Sequence, residues 1–185
     1  MNILNIMLFF GFVSPIVLFS GIGTDRLFLN SHSTRVDLKY YFILIPFTVT
    51  MAVLLWTVNK YIILPLKIQF LAPVLFITIL VSTTEIMEHL FKIRYKSPAE
   101  KNYSYGIIFF AVYSSISLIT VITIVISGFL SLLLFSLIIS HIKSKIDMGN
   151  ASLSWRIAPL ILISIGFLTL ATYSSEVSWL QNIFF

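Results

Sequence analysis

The stretch Tyr61–His89 reads YIILPLKIQFLAPVLFITILVSTTEIMEH. A proline marks its approach. About 20 nearly all-apolar residues follow, the length a helix needs to cross the hydrocarbon of a bilayer. It closes on two glutamates and a histidine, Glu85, Glu88 and His89. A long apolar run with a polar exit predicts a transmembrane helix.

The rest of the chain agrees in class. Hydrophobic residues make up 58% of the 185 positions and charged residues 10%, with a mean hydropathy of +1.01. A soluble domain carries about 25% charge, so this chain lacks the polar groups to cover a globular surface. In lipid only helices or closed barrels satisfy the backbone. Barrel strands would give short alternating segments, and the apolar runs here are long and unbroken. The expected class is an all-α, multi-pass membrane protein in one domain over residues 1–185. The first apolar run has no basic leader and no small-residue cleavage signal, so it is expected to be a span and not a signal peptide.

Taken in order, the expected spans are residues 2–23, 40–58, 67–91, 105–126, 129–141 and 156–173. Ser14-Pro15 and Gly21-Ile-Gly23 predict a kinked or broken first span. Pro46 lies inside the second, which closes on Trp56. From Asn102 to His141 there is no Asp, Glu, Lys or Arg. That run is about twice what one helix needs, so it is read as two spans, divided at Ser127-Gly128, where helix propensity is weakest. The tail from Ser174 to Phe185 is too short to span and is expected at the interface.

Sidedness follows from the basic residues. The loops after spans one, three and five hold ten of the twelve Lys and Arg, and Lys60 and Lys67 hold the other side. The positive-inside rule puts those three loops in the cytoplasm and both termini outside. Two three-helix sets of opposite orientation have the arithmetic of an inverted repeat, although no sequence repeat is visible. The net charge of +5 is a matter of topology in such a chain and implies no nucleic acid. Cysteine is absent. This excludes disulfides, thiol nucleophiles and Cys-held clusters from this chain.

Candidate chemistry is sparse. Glu85, Glu88 and His89 recur at i, i+3 and i+4 on one helix face. Glu85 lies a turn or two inside the cytoplasmic end of span three. With Thr84 beside it, it is the candidate for an ion path, because an ionisable residue within a span is a functional hypothesis by default. The competing readings are an interfacial helix end, with Glu85 paired to a neighbour, and a metal site. A di-iron bundle would need two Glu-x-x-His motifs, and the single histidine here stands at i+4. Ser114, Ser115, Ser117, Thr120 and Thr123 crowd span four. Hydroxyls in lipid mostly bond to their own helix or a neighbouring one, so packing is preferred over a polar conduit. No Gly-rich phosphate loop, catalytic triad or metal-ligand spacing is present, and no catalytic residue is assigned.

Several motifs resemble one family. Tyr61-Ile-Ile-Leu-Pro65-Leu-Lys-Ile-Gln-Phe70-Leu71, then Thr84-Glu85-Ile86-Met87, then Lys96-Ser97-Pro98 are similar to the third-span region of the Rnf complex A subunit, equivalent to the E subunit of the Nqr sodium pump. Gly106-Ile107 and Trp155-Arg156 are similar to the starts of that subunit's fourth and sixth helices. The resemblance implies a six-helix inverted-repeat subunit of an ion-translocating electron-transport complex in the inner membrane of a bacterium. It implies a sister six-helix subunit of opposite orientation and further Rnf/Nqr-like subunits as partners, with membrane lipids around them. Family members hold an iron centre between the two sisters through cysteines. Here Gly23 and Ile116 occupy the cysteine positions, and Phe12 and Val13 occupy those of a paired asparagine motif. The expectation is therefore a scaffold or ion-path subunit that binds no cofactor by itself and is at most a non-catalytic part of an oxidoreductase. Two other classes stay open: a small substrate-binding component of a vitamin or metabolite transporter, and a structural membrane protein that stabilises partners.

Overall fold

The computed structural model of the chain describes residues 3–13, 15–23, 38–91, 95, 98–147 and 159–173. Among these residues every regular element is helical and there is no strand. Three helical segments are long and apolar enough to cross a membrane: Tyr41–Ile63, Gln69–Ile86 and Leu118–Ile142. The all-helical class read from the sequence is what the structure has. The loop 24–37, the basic residues Lys92, Arg94 and Lys96, the loop 148–158 and the tail 174–185 lie outside the described residues.

The chain divides into two compact units. One is Leu38–Ile126. It begins with helix α3, Leu38–Val58, which keeps Pro46 in its interior and continues as a π-helical turn over Asn59–Ile63. Pro65 then stops the path, because it cannot donate to a helix ladder. The turn that follows puts Lys67 at a φ of 56°, the left-handed region. A 3-10 turn at Gln69–Leu71 leads into α4, Ala72–Phe91. Helix α5 spans Pro98–Ser114. Helix α3 packs on both α4 and α5. Their shared core holds Leu44, Phe47, Met51, Leu55, Phe76, Leu80, Tyr103 and Ile107, all buried. Phe76 of α4 meets Phe109 at 6.0 Å and Tyr113 at 5.5 Å, which ties α4 to α5 through aromatic edges.

The other unit is Met1–Asp37 with Ser127–Phe185. Here α1, Ile3–Leu8, runs into a π-helical turn, Phe9–Val13. Helix α2, Ile16–Phe19, restarts after a buried Pro15. Gly21 and Gly23 follow at φ of 68° and 89°, values that suit glycine because no Cβ meets the backbone. So the first apolar run is interrupted where its proline and glycines lie. A Cβ placed on Gly11 would stand 3.4 Å from the Leu130 side chain and 4.0 Å from the Ser127 carbonyl, so the small residue allows a close approach of two backbones. This unit also contains the apolar helix α7, Pro159–Tyr173, whose Ile161 is buried.

Helix α6, Leu118–Asp147, corrects the expected division of the charge-free run. It passes unbroken through Ser127-Gly128, and the break lies instead at Ser115–Ser117. Two local effects place it there. Ser117 caps α6: its hydroxyl accepts from the Thr120 N–H at 3.3 Å and contacts the Thr120 hydroxyl at 2.7 Å. At Ser127, by contrast, the smallness that lowers propensity is used in packing, and the side chain is fully buried. Helix α5 also starts at Pro98, seven residues before the expected span. The ten-to-two distribution of basic residues does not depend on which residues form the break, since both positions lie inside the charge-free run.

Candidate functional site

The polar groups of the first unit described gather where the end of α4 meets the start of α5. Thr84 is buried on α4, with its hydroxyl against the Leu80 carbonyl one turn back. The same hydroxyl lies 2.6 Å from the Tyr105 hydroxyl of α5. One turn further along α4, Glu88 meets Lys101 of α5 at 3.9 Å, both side chains part-exposed. A pair of that length and exposure contributes at most about 1 kcal/mol. The Lys101 ammonium also stands 5.9 Å from the centre of the Tyr105 ring. These contacts form a short ladder along the α4–α5 seam.

Behind the ladder lies a drier layer. Glu100 is buried in the first turn of α5, where the helix dipole favours a carboxylate. Ser104, one turn on, is fully buried. Its hydroxyl lies close to the Tyr95 phenol without reaching ordinary hydrogen-bond geometry. The Tyr95 ring packs edge-on against Phe47 of α3 at 6.0 Å. Burial pushes the Tyr95 phenol above its ordinary value of 10.0, the Ser104 contact opposes the rise, and Tyr105, Glu88 and Glu100 add to it. The sign for stability follows from this raised value. Below pH 10.0 the neutral phenol's contribution is fully present. As pH climbs past 10.0 the unfolded chain ionises first and stability falls. Tyr95→Phe should therefore flatten the alkaline limb of a thermal-stability profile above about pH 10.

The ladder itself has a direct test. Tyr105→Phe should cost about 1 kcal/mol, because Thr84 keeps its bond to its own helix. Thr84→Val should cost a similar amount, and the double variant little more. A denaturation cycle in detergent that finds the two effects fully additive would show the contact to be energetically idle.

The structure separates the two residues read as an ion path. Thr84 faces inward toward Tyr105, while Glu85 is exposed and among the described residues makes no ion pair. The acid that faces α5 is Glu88, and His89 is exposed. Among the described residues no three His, Asp or Glu side chains converge on one point. Within the Ser114–Thr123 run, Ser117 caps α6 and contacts Thr120, and Thr123 donates to the Ile119 carbonyl at 2.7 Å, while the buried Ser115 hydroxyl has no hydrogen-bond partner among the described residues.

The expected spans place Tyr95, Glu100, Lys101 and Ser104 in the connection before residue 105 and only Tyr105 in a helix, so the group is not visible from them. A signal was present. Ser97-Pro98-Ala99-Glu100 has a capping residue, a proline suited to the first helical position and a glutamate three residues after the serine. A helix starting there puts Glu100 with Ser104, and Lys101 with Tyr105, at i and i+4.

The structure describes both positions that the resemblance aligns with cysteines. Gly23 is buried in the turn after α2 and has no side chain. Ile116 is 93% exposed in the three-residue break before α6. Neither offers a donor atom, so these residues do not fit an iron centre.

No family model matches the chain, and no solved structure matches it. An uncharacterized protein of Treponema pallidum (strain Nichols) is similar to it, 27% identical over 174 residues, covering 91% of this chain and 89% of that protein. The similarity thus covers most of both chains.

Proposed function

We propose that the chain is a multi-pass integral membrane subunit of an Rnf/Nqr-like ion-translocating electron-transport complex, in the inner membrane of a bacterium, and that it serves as scaffold and not as iron-centre carrier. One observation carries the reading. Gly23, in the turn after α2, and Ile116, in the connection between α5 and α6, stand where the resembled family has cysteines, and neither has a side chain that could ligate iron. This supports scaffold over iron-centre carrier within the family that Tyr61–Leu71 and Thr84–Met87 resemble.

The remaining elements fit six spans. The interrupted first run, α3, α4, α5, α6 and α7 supply six apolar segments, with both termini outside and the basic loops inside. Three of them meet the length of a full span unaided. The 17 residues of α5 cover about 25 Å, enough to cross most of the hydrocarbon when its Lys101 end reaches the interface. Scaffold is preferred over ion path because Thr84 and Glu85 point to different sides of α4.

Purification from native membranes in mild detergent tests the reading. A sister six-helix subunit and a flavin-carrying subunit should co-purify in stoichiometric amounts. A chain that elutes with neither would overturn it. In that assembly Glu85→Gln should leave ion flux unchanged, and a lost flux would return Glu85 to an ion path.

A further inference from the structure

The connection between α3 and α4 is built from residues that do not suit water. Turns that face water are rich in Gly, Asn, Asp and Ser. This one reads Leu64-Pro65-Leu66-Lys67-Ile68. It lies wholly within the Leu38–Ile126 unit. Tyr61, Ile62, Leu64, Leu66, Phe70 and Leu71 are exposed around it, and of residues 61–67 only Ile63 is buried. Positions 61, 62 and 64 of a helical turn point in different directions. The apolar surface therefore surrounds the tip of the α3–α4 hairpin and does not form one face.

Length sets the depth of this tip. The segment Tyr41–Ile63 has 23 residues and rises about 34 Å, a little more than the ~30 Å of hydrocarbon. The turn after Ile63 thus emerges at headgroup level. Its charge is of one sign. Lys60 is exposed and stands 4.5 Å from the centre of the Trp56 ring, and Lys67 is exposed on the turn itself. From Leu38 to Thr84 the sequence has no Asp or Glu. On the six-span reading the chain has one acid on this side, Glu176, against these two lysines. At least one ammonium is then left without a carboxylate from its own chain, however the two units sit. Aromatic residues and lysines together, here Trp56, Tyr61 and Phe70 with Lys60 and Lys67, are the composition of a membrane interface.

We propose that the α3–α4 tip is seated in the headgroup layer, its apolar residues among the upper acyl chains and Lys60 and Lys67 on the phosphates of anionic phospholipids. The proposal rests on α3 and α4 crossing a membrane, and on the six-span reading for its charge count, but not on electron transport. A lipid layer can surround a tip that is apolar on all sides, whereas a protein partner covers one side and brings a polar rim. The lysine stems lie along apolar surface while the ammonium groups reach the phosphates. Basic groups at an anionic surface are held there by its potential, which selects anionic over zwitterionic headgroups.

A single fluorophore on Leu66→Cys, in the otherwise cysteine-free full chain, tests this. The labelled chain is reconstituted alone into vesicles of phosphatidylcholine and phosphatidylglycerol. It is then exposed to iodide in the water, or to either lipid carrying a nitroxide high on its acyl chain. Iodide should hardly quench the label. Both lipids should quench it, the phosphatidylglycerol about fivefold more effectively, the preference that one lysine near a charged surface provides. Lys67→Asn should bring that ratio close to one, and asparagine suits the left-handed backbone of that position, so the turn is kept. Lys60→Gln should lower the ratio too, with the label still shielded from iodide. Quenching by iodide and by neither lipid would place the tip in water and overturn the proposal. Shielding from all three would show that the chain covers its own tip, and equal quenching by the two lipids would remove the headgroup selection; either result overturns it. Strongest quenching from a nitroxide at the acyl-chain ends would overturn it together with the two spans. The expected result in a chain that elutes without partner subunits would support the lipid seat while counting against the function proposed above.

Discussion

Ser127→Pro should lower the stability of the purified protein by about 3 kcal/mol or more. Ser127 lies ten residues into α6 and is fully buried. A proline there removes the bond from its own N–H to the carbonyl four residues back and drives its ring toward that carbonyl. Membrane helices tolerate some prolines when neighbours can re-satisfy the freed group. Here the space is taken, because the Ser127 carbonyl lies 4.0 Å from where a Gly11 Cβ would be. Ile116→Pro is the matched control. Ile116 is outside any helix and 93% exposed, so its replacement should change stability by well under 1 kcal/mol. The contrast reverses if the helix were broken at Ser127-Gly128. Thermal unfolding of the two variants in detergent reads it directly.

Phe76→Ala should cost about 3 kcal/mol. Phe76 is fully buried and takes part in two aromatic contacts, with Phe109 at 6.0 Å and Tyr113 at 5.5 Å. Each aromatic pair contributes about 0.5–1.5 kcal/mol beyond area burial, and the empty volume left behind adds a further cost. In water Phe→Ala in a core costs about 3–5 kcal/mol. The lower end applies here, since lipid is itself apolar and association rests on packing. Phe70 is 79% exposed, and Phe70→Ala should be close to neutral. Equal losses for the two variants, measured by reversible unfolding in mixed micelles, would show that Phe76 is not at a packed centre.

The class of the fold was legible because long apolar runs with 10% charge leave few ways to satisfy a backbone. The interrupted first run was legible too, since Pro15, Gly21 and Gly23 each act through their own backbone. The break in the charge-free run was not. Ser127-Gly128 and Ser114-Ser115-Ile116-Ser117 are both weak helix formers, and propensity cannot rank them. Packing kept the first helical, and a local serine cap started a new helix at the second. The candidate site was half legible. Glu85, Glu88 and His89 share a helix face by spacing, but which acid turns inward depends on α5. Lys101 and Tyr105 stand 13 and 21 residues beyond their partners Glu88 and Thr84. Such pairings follow from the packing of two helices and have no periodic trace in the sequence.

The absence of cysteine makes the chain suited to labelling with single introduced thiols. Ser117→Cys precedes α6, Ser127→Cys lies within it, and Ser144→Cys is near its end. From residue 117 to residue 144 the helix rises about 40 Å, more than the ~30 Å of hydrocarbon. In sealed cells, a membrane-impermeant maleimide should label position 117 from outside. It should reach position 144 only after the membrane is opened, and position 127 in neither state. Label at 127, or label at 117 and 144 from the same side, would contradict a single α6 crossing the membrane between them.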